Sequence, residues 1–267
     1  MSISVKILVP YHNMAKKLFF NSDILTPIHV VRDNATEQVT TAMQQYMIGD
    51  NTGDNISKLN THYCELTAMY WAWKNMDKLN SPYYIGFMHY RRLFNFNKNR
   101  TTRLKYLLLN CLKFIPYVNV KKYMLLMNSE DIKRNLNNTD ILIWAKLGCG
   151  TSNVYDALYK DRESLEITTL TEYIKNEMPA YYASFNEILY TRNKFISYGN
   201  IFIMKKDIFF EYCEFMFKVL SIIPIEDSKK RLHGYLAEAL SNVFYLYKEQ
   251  QGCTVKEQKR KLVNELF

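Results

Sequence analysis

The chain contains no D-x-D triplet, the acidic signature with which many sugar-nucleotide enzymes hold a metal-bound diphosphate. It also lacks G-x-G-x-x-G, a P-loop, G-x-S-x-G and H-E-x-x-H, so dehydrogenase, kinase, hydrolase and metalloprotease readings lose their usual support. There is no helix-turn-helix, zinc-finger or RNP pattern, and no nucleic-acid partner is expected. Cysteine is sparse: five residues, an odd number, widely spaced and without C-x-x-C. That usage points to reduced thiols in a cytosolic protein, not to a disulfide framework or a zinc site. No apolar run reaches the ~18 residues of a membrane span, and "MSISVKILVPYHN" lacks the apolar core of a signal peptide. A soluble or peripherally bound, cytoplasmic protein is the expectation.

What is present fits one large α/β domain. The 267 residues are 48% hydrophobic, ample for a core, and 15% aromatic, with 21 tyrosines. Lysine and arginine number 35 against 26 acidic residues, a formal charge of +9 that favours an anionic partner.

"VKILVP" (5–10) reads as the first strand of a parallel sheet and "PIHVVRDN" as a second strand entering a polar turn. "GDNTGDNIS" is a loop in which Asp54 or Asn55 can cap the next helix. Leu66, Met69, Tyr70 and Trp73 mark that helix by their i, i+3, i+4, i+7 spacing. "YYIGFMHYRRLFNF" (83–96) starts as a buried strand, with Gly86 permitting close backbone approach, and ends in His89, Tyr90, Arg91 and Arg92. Strand, helix and strand in this order predict a doubly wound, mostly parallel sheet flanked by helices. Residues 100–138 read as a helical, basic insertion that packs on the core or rests on a membrane through 100–125. "DILIWAK" (140–146) is another strand, 198–217 a strand and helix, and 231–248 a helix with Leu232, Leu236, Leu240 and Val243 as its buried stripe. The expected layout is one domain over 1–250 and a charged tail over 251–267 that frays.

Ligands of open α/β sheets bind outside the carboxyl ends of the strands. "PYHN" with His12, the 49–57 loop and "HYRR" are therefore drawn to one crevice. Adjacent arginines on a strand face opposite ways. If the strand ends at His89, however, a turn can bring one guanidinium into the crevice, where it can bond phosphate oxygens in pairs. Ser57, Asn60 and Cys64 share a polar face of the expected long helix, whose amino end favours an anion. An ordinary solvated face fits them as well. Glu65 lies in apolar surroundings and needs a partner, for which the arginines are candidates. On the late helix Arg231, Gly234, Glu238 and Ser241 follow one side. Gly234 either clears space before Glu238 or serves close packing. Asp227 is a second carboxylate, and one positioned carboxylate or histidine suffices as general base.

The stretches "GDNISKLNTHYCELTAMYWAWKN", "YIGFMHYRRLF", "GNIFIMKKDIFFEYCEFMF" and "GYLAEALSNVF" resemble, in order and spacing, a bacterial family once catalogued only as a domain of unknown function and associated with capsular and exopolysaccharide synthesis. The likeness runs from about residue 5 to 248. It implies a GT-A-like fold and glycosyl transfer, with galactofuranosyl transfer among the activities attributed to the family. It further implies a nucleotide-sugar donor, UDP-linked by expectation, and a glycan or lipid-diphosphate-linked acceptor at the inner face of the cytoplasmic membrane.

On that resemblance, His12, Asp54, Asn55, Ser57, Asn60, His89, Arg91 and Arg92 are expected at the nucleotide and its diphosphate, and Glu65, Tyr198, Gly199 and Asn200 at the donor sugar. Glu238 is the expected base, with Asp227 and His233 behind it. The "HYRR" cations would replace a metal as counter-charge for the leaving diphosphate. No cofactor is therefore expected, although a divalent cation stays open. The rival from another class is a non-catalytic carbohydrate- or nucleic-acid-binding protein, which would neither turn over a donor nor gain stability from a nucleotide.

Overall fold

A computed structural model describes residues 3–12, 23–90, 92–96, 129–225 and 229–262. Arg91, Asp227, residues 97–128, which include 100–128 of the expected insertion, and residues 263–267 lie outside the described residues. Strands β1 (Val5–Tyr11), β2 (Leu25–His29), β3 (Ile48–Gly49), β4 (Tyr84–Phe87), β6 (Ile141–Trp144), β9 (Phe202–Lys205) and β10 (Val255–Gln258) form a seven-stranded sheet in the order β10-β6-β9-β4-β1-β2-β3. β9 alone runs against the other six. Two small pairs complete the strands: β5 (Arg92–Phe94) with β11 (Arg260–Leu262), and β7 (Leu147–Gly148) with β8 (Phe195–Ile196).

The predicted mostly parallel α/β sheet is thus what forms, and its alternation explains the layers. Leu8, Ile28, Ile85, Phe87, Ile143, Phe202 and Met204 face one side, where they meet α3 (Leu66–Lys74), α5 (Ser164–Glu177), α6 (Pro179–Tyr190), α7 (Lys206–Leu220) and α8 (Leu232–Gln250). Ile7, Leu25, Tyr84, Leu142, Trp144 and Ile203 face the other side, beneath Leu93, Phe94, Phe96 and α4 (Ser129–Leu136). Side chains alternating in this way, each apolar, produce strands that are buried on both faces. Gly86 is needed where β4 meets β9, because a Cβ there would lie 2.6 Å from Ile203 Cγ1 and 2.9 Å from the Phe202 carbonyl oxygen. The expected stripe of Leu232, Leu236, Leu240 and Val243 is fully buried on α8. Among the described residues, no helix is long and apolar enough to cross a membrane.

Two expectations are corrected. The helix expected from residue 55 onward is broken. A short 3-10 turn (Ser57–Leu59) leads into α2 (Asn60–Tyr63), and the chain then kinks at Cys64, with φ 51° and ψ −132°, before α3 begins. The kink turns the Cys64 carbonyl inward, where it accepts the Asn60 amide at 2.7 Å and the Thr67 hydroxyl at 3.2 Å. These local side-chain bonds compete with the helical ladder. The described part of the charged tail, residues 251–262, does not fray. Its residues 255–258 form the edge strand of the main sheet beside β6, and residues 260–262 pair with β5. An edge strand has an open flank, so it can carry charges such as Lys256 and Glu257.

Candidate active site

β1 lies between β2 and β4, so strand order reverses at the β1/β4 junction and the crevice opens beyond their carboxyl ends. β9 is antiparallel and pairs Phe202 with Phe87 and with Ile143. Its entry loop, Tyr198-Gly199-Asn200, is therefore delivered to that same edge. The ends of β1 and β4 do meet. Tyr90 stacks on Tyr11 with ring centroids 5.4 Å apart, and the His12 ring lies 5.9 Å from Tyr90. β4 ends at Phe87, and His89 bridges to Arg92 through the Arg92 N–H and the His89 carbonyl at 3.1 Å. This turn carries the Arg92 side chain to the crevice, where a terminal guanidinium nitrogen lies 3.2 Å from where a Cβ on Gly199 would sit.

Two consecutive left-handed residues, Gly199 (φ 82°) and Asn200 (φ 51°), shape the centre. Glycine adopts this region freely, and asparagine tolerates it better than most residues. As a result the Gly199 N–H donates to Glu238 Oε1 at 3.1 Å, while its carbonyl accepts from His89 Nε2 at 2.8 Å. A carbonyl can only accept, so Nε2 carries the proton. The Asn200 amide donates to Glu65 Oε1 at 2.9 Å and accepts from Ser241 Oγ at 3.0 Å. His89 Nε2 lies 3.7 Å from the same Glu65 oxygen. One loop thereby joins Glu65, His89 and Glu238, three groups far apart in sequence.

Glu238 is the group with unusual acid–base behaviour. Burial and then the nearby Glu65 charge raise its pKa from 4.5 to about 7, against the opposing pull of the Gly199 N–H, Arg92 and Arg231. A carboxylate titrating near neutrality suits a proton acceptor. Arg231, a second cation here, sits in left-handed geometry (φ 67°) at the start of α8. Its guanidinium bonds the Cys64 sulfur and acts at longer range on Glu65. Burial, with Glu65, pushes the Cys64 thiol up to about 11, so it stays protonated at neutral pH.

Several expected ligand groups sit elsewhere. Ser57 is fully buried and donates to Asp50 Oδ1 at 2.6 Å. Asn60 is likewise buried, with its amide on the Cys64 carbonyl and on Thr67 Oγ1 at 2.9 Å. Thr67 in turn donates to Asp50 Oδ2 at 2.7 Å. The Ser57 and Thr67 hydroxyls thus satisfy an internal carboxylate, whose pKa burial raises. With α2 only four residues long, the expected dipole of a long helix is absent too. Asp54 accepts from Tyr70 at 3.3 Å and its carbonyl from Asn75 at 2.8 Å, towards the far end of α3. Asn55 caps the 3-10 turn by accepting the Ser57 N–H at 3.2 Å. His233 is fully buried, stacked on Tyr63 at 4.4 Å and bonded to the Ile223 carbonyl at 3.1 Å, on a different face of α8 from Glu238. Gly234 serves packing: a Cβ there would meet Cys64 Sγ at 3.2 Å.

Asp50 and His29 were not singled out in the sequence, and Arg231 was placed on the Glu238 side of the late helix without a role. His29 ends β2, fully buried, and both its ring nitrogens lack a partner among the described residues. Burial, Arg32 and His12 lower its pKa to about 4. Arg231 had a readable signal, lying seven residues before Glu238 on the same helical stripe. Among the described residues, no group of three or more His, Cys, Asp or Glu side chains could hold a metal ion. A cleft of about 660 Å³, lined in part by Ser4, Tyr83, Asn138 and Lys206, opens at the amino edge of β4, away from this chemistry.

Residues 6–250 match the family described as a domain of unknown function, DUF4422. No curated protein matches the chain. The solved apo structure of the bifunctional glycosyltransferase WbbM is similar at 31% identity, with a TM-score of 0.75 over 98% of this chain and 45% of that one. The chain thus spans less than half of the WbbM chain. The likeness shows the expected GT-A-like fold.

Proposed function

The chain belongs to the DUF4422 family, and we propose that it is a glycosyltransferase that moves a hexose, galactofuranose being the first to test, from a UDP-linked donor to a growing surface glycan or lipid-linked precursor. The similarity to WbbM supports transferase chemistry in general. The observation that carries the reading is a carboxylate held near neutrality, Glu238, beside the Arg92 guanidinium at the carboxyl edge of the sheet.

In this reading Glu238 takes the proton from an acceptor hydroxyl. The hydroxyl oxygen bonds the anomeric carbon as the bond to the diphosphate oxygen breaks, and the electron pair leaves with UDP. A single displacement of this kind inverts the anomeric centre. Negative charge grows on the departing diphosphate, and a fixed guanidinium stabilises it without reorganising. Arg92 fills that role, with Arg91 and His89 as its proposed neighbours; His89 also orients the Gly199 carbonyl. Asn200 and Glu65 face the donor sugar as a linked acceptor–donor pair. His12 and Tyr90 flank the nucleotide side. Work at the inner membrane face, through the basic 100–125 segment, is part of the same proposal.

The test is donor hydrolysis across a panel of nucleotide sugars, with thermal stability measured in UDP. A transferase gains stability by RT ln(1 + [L]/Kd) and hydrolyses at least one donor. A protein unaffected by every nucleotide and inert on every donor is not one.

A further inference from the structure

α8 continues past Glu238 in a way that points to a second binding element. Glu238, Asn242, Leu246 and Glu249 follow one another at helical spacing, so they share a stripe. The chain from Phe195 to Gly199 lies along this stripe in the opposite direction. Gly199 meets Glu238, and Ser197 is clamped by Asn242, which accepts the Ser197 N–H and donates to the Ser197 carbonyl, both at 2.8 Å. Asn242 also donates to the Glu238 carbonyl at 2.7 Å. The segment is thereby fixed on the helix that carries the carboxylate.

Where this segment starts, a groove of about 390 Å³ opens, lined by Phe195, Lys146, Lys194, Leu246, Glu249 and Glu257 among others. It lies about 12 Å along the helix axis from Glu238, eight residues at ~1.5 Å each. Phe195 is 60% exposed, which is far more than a core aromatic shows. Its ring is also held in place. Gly148, its cross-strand partner, leaves room for it, and a Cβ on Gly148 would sit 3.2 Å from Phe195 Cε1 and 3.4 Å from Cζ. One side of the ring therefore lies against the Gly148 backbone while much of the ring stays open to water.

Both lysines around the ring are already paired, and Glu249 adds a further negative charge. Lys146 pairs with Glu257 at 3.9 Å, and Lys194 pairs with Glu187. A phosphate or an anionic headgroup finds its counter-ions occupied here. Polar side chains surround a ring that offers its face, and this combination fits a neutral sugar, whose C–H face stacks on the ring while its hydroxyls meet Asn193, Glu249 and the lysines. We propose that this groove holds the inner sugars of a neutral glycan acceptor while its terminal hydroxyl reaches Glu238. The proposal rests on the transferase reading and adds where the acceptor lies and of what class it is.

Neutral trisaccharides, maltotriose and cellotriose, serve as probes in saturation-transfer NMR. Phe195→Ala removes an exposed ring and leaves the melting temperature unchanged. Gly148→Ala pushes the ring aside and gives an independent check. At least one trisaccharide is expected to bind the wild type and to bind both variants about fivefold to tenfold more weakly, the size of a lost stacking contact, with UDP stabilisation intact. Equal binding in the variants, or no trisaccharide binding to the wild type, overturns the proposal. So does a Phe195→Ala protein whose only loss is binding to anionic phospholipid vesicles. The two readings fail separately: UDP stabilisation without trisaccharide binding removes the groove alone, whereas absence of both nucleotide stabilisation and donor turnover removes the transferase.

Discussion

Replacing Glu238 by glutamine separates the burial of a charge from its catalytic use. The variant keeps the size of the side chain and an oxygen that can accept the Gly199 N–H. It removes only the ionisation. In the fold this carboxyl titrates near 7 instead of 4.5, so the folded state binds its proton more tightly than the unfolded chain does. Stability from this group is therefore fully present below about pH 4.5 and is lost as pH rises through 7. At about 1.4 kcal/mol per pKa unit, the loss amounts to at most about 3.5 kcal/mol above pH 7. Glu238→Gln carries no such loss. Its melting temperature should exceed the wild type by several degrees at pH 8.5 and match it near pH 4.5, read by calorimetry in parallel buffers. Turnover should fall at least about 100-fold with UDP stabilisation unchanged. A glutamine variant that is less stable at pH 8.5, or whose advantage is the same at both pH values, refutes the reasoning.

Arg92→Ala should abolish most of the thermal shift given by UDP, while excess EDTA leaves the wild-type shift in place. Because Arg92 lowers the Glu238 pKa, the rising limb of the variant's residual pH–rate profile should also move to higher pH; a full UDP shift in Arg92→Ala, or its loss from wild type in EDTA, counts against guanidinium as the counter-charge. Gly86→Ala forces a methyl into β9 and should cost about 1–3 kcal/mol in urea denaturation, with an unchanged midpoint contradicting the contact. Asp50→Ala leaves the buried Ser57 and Thr67 hydroxyls without their acceptor and should cost about 2–4 kcal/mol, whereas Asp50→Asn should cost less; equal losses would mean that the acceptor oxygens do not matter.

The central strands β1, β4, β6 and β9 and the apolar stripe of α8 were readable because burial on both faces leaves apolar runs such as "ILV" and "ILIW". The carboxyl-edge argument, which needs only strand order, drew the His89–Arg92 turn to the crevice, and the family resemblance added Glu65, Gly199, Asn200 and Glu238, which the fold brings beside it. The helix break at Cys64 was invisible, because no glycine or proline marks it and its cause is the Asn60 and Thr67 side chains bonding one carbonyl. Ser57 and Asn60 looked like ligand groups because the sequence does not reveal that Asp50, entering from a strand of two residues, takes the Ser57 and Thr67 hydroxyls, nor that Asn60 bonds Thr67 and the Cys64 carbonyl. The edge strand 255–258 was hidden by its charges, which solvent on its open flank tolerates.

The pairing of β11 with β5 has a consequence for biosynthesis. Arg92 leaves the ribosome long before residues 260–262, whose backbone bonds brace the strand that it begins. A nascent chain therefore carries the turn that begins at His89 without that brace. If Arg92 serves the diphosphate as proposed, trimming or fusion close to Leu262 would weaken nucleotide binding from a distance, with no contact to the ligand itself.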